Sequence, residues 1–161
     1  MVHMLIGIQG SGKTTFAKKL SQEKNCIVAS TDYVRKHIKD VKESEVFETV
    51  YKMVAEAIKN NQDIIYDATN ITPKVRKRFF DEVSKYEVTP KVIAYYFDTD
   101  VMECFNRVKV RNTIEGELYL PEEVVFSYNE KIVKPTYEEG FELINIVKDG
   151  TVVNTINKTE V

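Results

Sequence analysis

The sequence predicts an α/β fold, a mostly parallel sheet with helices on both faces. Three observations point there. Short apolar runs alternate along the chain with longer segments of helical periodicity, the pattern of repeated βαβ units. A glycine-rich turn stands between the first such run and the first helical segment. The 161 residues, 43% hydrophobic and 30% charged, suit a single globular domain with a real core rather than a disordered chain.

The elements follow in order. Residues 3–9 form a short β-like run, and residues 13–21 carry Phe16, Ala17 and Leu20 on one helical face. Residues 26–30 are a buried-strand candidate. Helices are expected over residues 32–39 and 44–60, the second with Val46, Phe47, Val50, Val54 and Ile58 at amphipathic spacing. Residues 63–68 are the next strand. Thr72-Pro73 reads as a cap followed by a first helical residue, opening a helix that buries Val75, Phe79, Phe80 and Val83. On that helix Lys74, Arg76, Lys77 and Arg78 read as a solvated polar face. Residues 91–97 are the strongest strand, and residues 101–111 a helix with Val101, Cys104, Phe105 and Val108 on one side. Residues 112–120, polar with one glycine, are the best mobile-loop candidate. Pro121 is expected to open a helix through Lys131, residues 143–147 to form a fifth strand, and Asp149-Gly150 to return residues 151–156 as a hairpin. Crossovers should be right-handed. The tail after Lys158 is expected to fray. No repeat or linker divides the chain, so residues 1–161 read as one domain.

Composition narrows the function classes. A formal net charge of −2 gives no global positive field to recruit nucleic acid, although a local basic groove remains compatible with it. Two isolated cysteines, Cys26 and Cys104, in apolar contexts read as buried thiols of a reducing compartment. His3 and His37 have no partner at metal-ligand spacing. The apolar run at the N-terminus is short for a signal peptide or membrane span, so a soluble cytoplasmic protein is expected.

One motif decides the class. Gly7-Ile8-Gln9-Gly10-Ser11-Gly12-Lys13-Thr14 satisfies G-x-x-x-x-G-K-[ST] after a strand and at a helix start. Phosphates need several backbone N–H donors at close range, and a glycine-rich turn running into a helix N-terminus supplies them. The nucleotide-binding set is therefore Gly7, Gln9, Gly10, Ser11, Gly12, Lys13, Thr14 and Thr15. Lys13 is expected to reach the β- and γ-phosphates and the Thr14 hydroxyl to ligate Mg²⁺. ATP and Mg²⁺ are the expected cofactors. The chain shows no Asn-Lys-x-Asp guanine signature, and it is short for a helicase or an AAA+ machine.

Smaller constellations suggest a kinase. Asp32 follows the second strand, where ligands gather in parallel sheets, and suits a base or orienting group for an acceptor hydroxyl. Arg35, one turn on, suits an acceptor phosphate or carboxylate. The bland alternative is a helix cap with an exposed arginine. Thr69 and Asn70, after the third strand, either bind the acceptor and hold the base or help Thr72 cap the next helix. Asp67 is either a second metal-side carboxylate or a turn residue. Arg107 and Arg111, four residues apart, project from one helical face before the glycine-containing loop and suit a closing lid, roughly residues 101–133, that stabilises charge in phosphoryl transfer.

In this order, the P-loop, Asp32 with Arg35, Asp67-Ala68-Thr69-Asn70 and Arg107-x-x-x-Arg111 resemble the kinase domain of phage-type polynucleotide 5′-hydroxyl kinases and their bacterial relatives. The resemblance runs roughly from residue 4 to 147. Residues 134–142 resemble the link to the last core strand in the wider group of small P-loop kinases. The resemblance implies a five-stranded sheet of order 2-3-1-4-5. It implies that Asp32 is the general base for a 5′-hydroxyl, Arg35 the grip on the acceptor's phosphate, and Arg107 and Arg111 lid arginines. No Asp-x-Asp-Gly-Thr nucleophile motif is present, so a phosphatase module is not expected within this chain. Kinases of gluconate, shikimate, antibiotics and nucleotides share the lid arginines and the aspartate. A polynucleotide 5′-hydroxyl end or a small-molecule acceptor is therefore the expected partner, with a nucleotide-dependent binding module as the rival without transfer.

Overall fold

The computed structural model describes residues 1–158, so the expectation of a frayed tail lies outside the described residues. Among the described residues six strands and six helices follow one another: β1 (Val2–Ile6), α1 (Lys13–Lys24), β2 (Ile27–Ser30), α2 (Thr31–His37), α3 (Glu43–Lys59), β3 (Ile64–Asp67), α4 (Pro73–Ser84), β4 (Val92–Phe97), α5 (Val101–Arg111), α6 (Val124–Lys131), β5 (Leu143–Lys148) and β6 (Thr151–Thr155). A short 3₁₀ turn, Tyr137–Glu139, precedes β5.

The strands form one sheet in the order β2-β3-β1-β4-β5-β6, parallel up to β5 and antiparallel between β5 and β6. The expected 2-3-1-4-5 order is present, and the expected hairpin adds a sixth strand. Asp149 and Gly150 supply its two-residue turn at φ 50° and 75°, the double positive φ that a tight hairpin matching strand twist requires. All of β6 is exposed, as suits an edge strand.

Alternation along β1 sorts the core onto two faces. Val2, Met4 and Ile6 pack with Val46, Val50, Val54, Phe79 and Val83 of α3 and α4. Leu5 points the other way, onto Phe16, Ala17 and Leu20 of α1. A third, smaller cluster joins Ile8 and Ile71 to Cys104, Val108 and Val125, fastening α5 and α6 over the carboxyl end of the sheet.

Several expectations shift. The strand at residues 26–30 is an edge, not a buried strand, because β2 has only β3 as a neighbour; Ile27 is exposed. Cys26 is correspondingly half-buried, whereas Cys104 is buried. Residues 121–123 form a turn, and α6 begins three residues after Pro121. On α4, Val75 is exposed and Arg76 is fully buried, so Arg76 is no part of a solvated face. The reason is helical geometry: Arg76, Phe79 and Val83 follow the i, i+3, i+7 spacing of one stripe.

Candidate active site

The P-loop leaves β1 at Gly7, whose N–H donates to the Thr69 carbonyl at 3.0 Å. It curls through Gly10, at φ 80°, and Gly12, at φ 97°, which forms the N-cap position of α1. Close approach also requires glycine at position 10. A Cβ there would lie 2.5 Å from the Cys104 carbonyl oxygen of α5, a backbone atom with little freedom to move. Lys13 is buried at 9% exposure, and its Nζ donates to the Ile8 carbonyl at 2.9 Å. Thr14 and Thr15 are exposed on the first turn of α1. The Thr99 hydroxyl donates to the Ser11 carbonyl at 3.1 Å, pinning the loop to the end of β4.

Three carboxyl-terminal strand ends converge here. In register, Leu5 of β1 and Ser30 of β2 flank Asp67 of β3. Asp67 is buried at 7% exposure, and burial pushes its carboxyl pKa up, Lys13 pulls it back and Asp32 adds to the rise. Lys13 feels the reciprocal field. Burial lowers its pKa below the ordinary lysine value, Asp67 and Asp32 raise it, and Arg111 lowers it further. The structure thus brings Lys13, Asp67, Asp32 and Arg111 into one electrostatic neighbourhood. Asp67 caps no helix, since Thr72 caps α4 by accepting from the Val75 N–H at 3.2 Å.

Asp32 is in the first turn of α2, with its side chain 61% exposed. It is not the cap either: Ser30 Oγ accepts from the Tyr33 N–H at 3.2 Å. Arg35 donates from Nη1 to Asp32 at 2.7 Å and from Nε and Nη2 to Glu43 of α3. Burial works against its charge, but the hydrogen bonds to Glu43 and Asp32 raise its pKa above the ordinary arginine value. Arg35 is therefore engaged by two carboxylates, Asp32 and Glu43.

Asn70, at φ 49° and 1% exposure, turns its amide inward and donates to the Leu5 carbonyl at 2.8 Å. Its donors brace β1 against the turn after β3. Thr69 contributes its carbonyl to the Gly7 bond, and neither residue caps α4.

Arg107 and Arg111, expected as lid arginines, both stand on α5. Arg107 donates to the Gly10 carbonyl at 3.0 Å and pairs with Glu103. Among the described residues the buried Arg111 Nε finds no hydrogen-bond partner, nor do the buried Gln9 Oε1 and Ser11 Oγ of the P-loop. Unsatisfied buried polar atoms are costly, and their convergence around a glycine-rich loop with a buried lysine is what an anion site needs. The loop over residues 112–120 is clasped by Asn112, which donates to the Leu120 carbonyl at 2.6 Å and accepts from the Leu120 N–H at 3.0 Å. Glu117 in that loop pairs with Lys36 of α2 at 3.3 Å, so the loop reaches across to α2.

Arg76 is the residue that sequence reasoning missed. Its Nε and Nη2 bond both Glu139 carboxylate oxygens, at 2.7 and 3.1 Å, and its Nη1 bonds the Asn70 carbonyl at 2.8 Å and the Val133 carbonyl at 3.0 Å. One guanidinium thereby ties the turn after β3 to the chain leaving α6 and to the 3₁₀ turn. The i, i+3, i+7 stripe was the available signal.

Among the described residues, no group of three or more His, Cys, Asp or Glu side chains could hold a metal ion unaided. A cation shared between a hydroxyl, one carboxylate and phosphate oxygens needs no such group, and Asp67 is the buried carboxylate in the field of Lys13.

Residues 2–135 match the family described as AAA domain. Over 138 residues the chain is 27% identical to the bifunctional polynucleotide phosphatase/kinase of Schizosaccharomyces pombe, covering 86% of this chain and 31% of that protein. The chain thus spans about a third of the length of the curated relative it matches. Chaetomium thermophilum Kti12 in complex with ADP-AlF3 superposes with a TM-score of 0.69 at 13% identity, over 92% of this chain and 89% of that one. A fungal RNA kinase superposes with a TM-score of 0.65 at 18% identity, over 99% of this chain and 77% of that one. At such identities the likeness concerns the fold. The glycine-rich loop, the sheet order and the match over residues 2–135 agree: the chain belongs to the AAA domain family and carries its P-loop in a kinase-type α/β fold.

Proposed function

We propose that this protein is an ATP-dependent phosphotransferase that moves the γ-phosphate to a hydroxyl, foremost the 5′-hydroxyl of a polynucleotide, in the cytoplasm. The observation that carries the reading is the meeting of a buried P-loop lysine, Lys13, with Asp67, Asp32 and Arg111 at the carboxyl end of the sheet. The name of the curated relative and its 27% identity favour a polynucleotide acceptor.

In this reading the backbone N–H groups of residues 7–15 cradle the phosphates, and Lys13 exchanges its bond to the Ile8 carbonyl for a phosphate oxygen. The Thr14 hydroxyl and the Asp67 carboxylate would hold Mg²⁺, which neutralises charge on the phosphates when bound. Asp32 accepts the acceptor's proton while the hydroxyl oxygen bonds phosphorus and the bridging bond to ADP breaks. Arg35 orients Asp32 through their 2.7 Å hydrogen bond and presents the cation for an acceptor phosphate, in exchange with Glu43. Thr69 lies at the rim beside the loop entry, and Asn70 stiffens that entry through the Leu5 carbonyl. Arg107 and Arg111 bring positive charge to the transferring group from α5. Among the described residues, no helix is long and apolar enough to cross a membrane.

The test is incubation with γ-labelled ATP, Mg²⁺ and a panel of 5′-hydroxyl DNA and RNA oligonucleotides, 3′-nucleotides and pooled metabolites. Label on 5′ ends is the expected result. Label on a metabolite alone overturns the acceptor, and ATP binding without any transfer overturns the chemistry.

A further inference from the structure

Three aromatic side chains are exposed among the described residues: Tyr33, Tyr119 and Phe126, and all three belong to α2 or the lid. Most of the other aromatics pack into the sheet's two core faces, while Tyr128 joins the smaller cluster under α5 and α6 and Phe105 packs on Phe126. An exposed aromatic is not unusual by itself, so its setting decides what it can do.

Tyr33 has the most specific setting. It directly follows Asp32, and Lys36 lies four residues after Asp32 and three after Tyr33. Lys36 therefore neighbours both side chains on the surface of α2, and Tyr33 and Lys36 share one strip. Which way the strip faces is known, because Lys36 pairs at 3.3 Å with Glu117 of the loop over residues 112–120, the loop that carries Tyr119. On its other side Tyr33 rests on His37, with ring centroids 4.1 Å apart and planes inclined by 38°. That contact fixes the tyrosine ring and still leaves the residue 64% exposed. A ring held by a neighbour yet open to solvent is a platform for another flat group.

We infer that Tyr33, backed by His37, is the stacking platform for the terminal nucleobase of the acceptor, and so makes the site selective for a nucleotide-bearing 5′-hydroxyl. This deepens the proposed function and rests on it. A nucleoside whose 5′-hydroxyl meets Asp32 carries its base past Lys36 toward Tyr33. Stacking uses the π-face that every base has, so recognition is sequence-tolerant and needs no basic groove. It fits a chain whose formal net charge is −2. It also differs from phosphate contacts in its salt response, since stacking releases no counterions.

The experiment compares the wild-type chain with Tyr33→Ala and Tyr33→Trp on two 5′-hydroxyl oligonucleotides, identical except that one carries an abasic terminal residue. Stacking on an aromatic contributes about 1–3 kcal/mol per base, so the wild type should show a KM roughly five-fold or more higher for the abasic oligonucleotide. Tyr33→Ala should raise the KM of the normal oligonucleotide to the abasic value, leave the abasic KM and the ATP KM unchanged, and keep the wild-type melting temperature. Tyr33→Trp should retain the preference. Equal KM values for both oligonucleotides in the wild type, or equal losses on both in Tyr33→Ala, would overturn the platform while leaving the kinase reading intact. Failure of the wild type to label either oligonucleotide would overturn the proposed acceptor, and the platform with it.

Discussion

Replacing Arg76 by Met removes the donor half of a buried ion pair while keeping a long side chain in the α4 stripe. Arg76 is 0% exposed and the Glu139 side chain 15%. The substitution leaves both Glu139 oxygens, the Asn70 carbonyl and the Val133 carbonyl without their guanidinium donors. Breaking one side of a buried pair typically costs about 3–5 kcal/mol, because an uncompensated charge stays in a low-dielectric site. For a chain of this size each kcal/mol moves the melting temperature by about 2–4 °C. Arg76→Met should therefore lower it by roughly 6–20 °C, read by urea and thermal unfolding. Arg76→Met/Glu139→Met, which removes both charges, should recover part of that loss. A single-variant loss under about 1 kcal/mol, or a double variant no better than the single, would refute the reasoning that this pair holds the turn after β3 against the exit of α6.

Other outcomes follow from the same structure. Lys13→Ala should weaken ATP binding by about ten-fold or more, the scale of a lost charge-assisted hydrogen bond, as measured by nucleotide titration. Gly10→Ala should abolish ATP binding and destabilise the fold, since its Cβ would meet the Cys104 carbonyl oxygen at 2.5 Å and its φ of 80° costs a non-glycine residue about 1–2 kcal/mol; nucleotide titration and a melt check both. Burial holds His3 below its ordinary pKa of 6.5, so the unfolded chain takes up the proton first. Stability should be complete above pH 6.5 and fall as the pH drops toward the folded-state pKa, by at most about 1.4 kcal/mol per pH unit. Urea midpoints at several pH values should show that slope, and His3→Gln should flatten it. Burial lifts the Cys104 thiol to about 11, so a thiol reagent at pH 7 should leave it unmodified in the folded chain.

Much of the fold was legible because its signals are local. The P-loop stands between a strand and a helix in a single run of residues, Thr72-Pro73 marks a helix start by side-chain chemistry, and Asp149-Gly150 marks a turn by φ preference. What escaped depends on partners distant in sequence. Arg76 meets Glu139 across 63 positions, and only the stripe it shares with Phe79 and Val83 hinted that a charge could be buried there. The edge character of β2 depends on sheet order, which an apolar run cannot reveal. Whether Asp32 and Asp67 serve as local helix-start residues was not legible in sequence, because the caps at Ser30 and Thr72 are set by backbone geometry. The clasp of Asn112 on Leu120 closes a loop that composition alone marked as mobile.

The most direct test is single-turnover transfer from γ-labelled ATP to a 5′-hydroxyl oligonucleotide, run side by side for the wild-type chain and Asp32→Ala, with ATP affinity measured on both. The account predicts labelled 5′ ends with the wild type and loss of transfer in Asp32→Ala at nearly unchanged ATP affinity, since Asp32 is exposed on α2 and outside the phosphate cradle. Transfer by Asp32→Ala at the wild-type rate would contradict it.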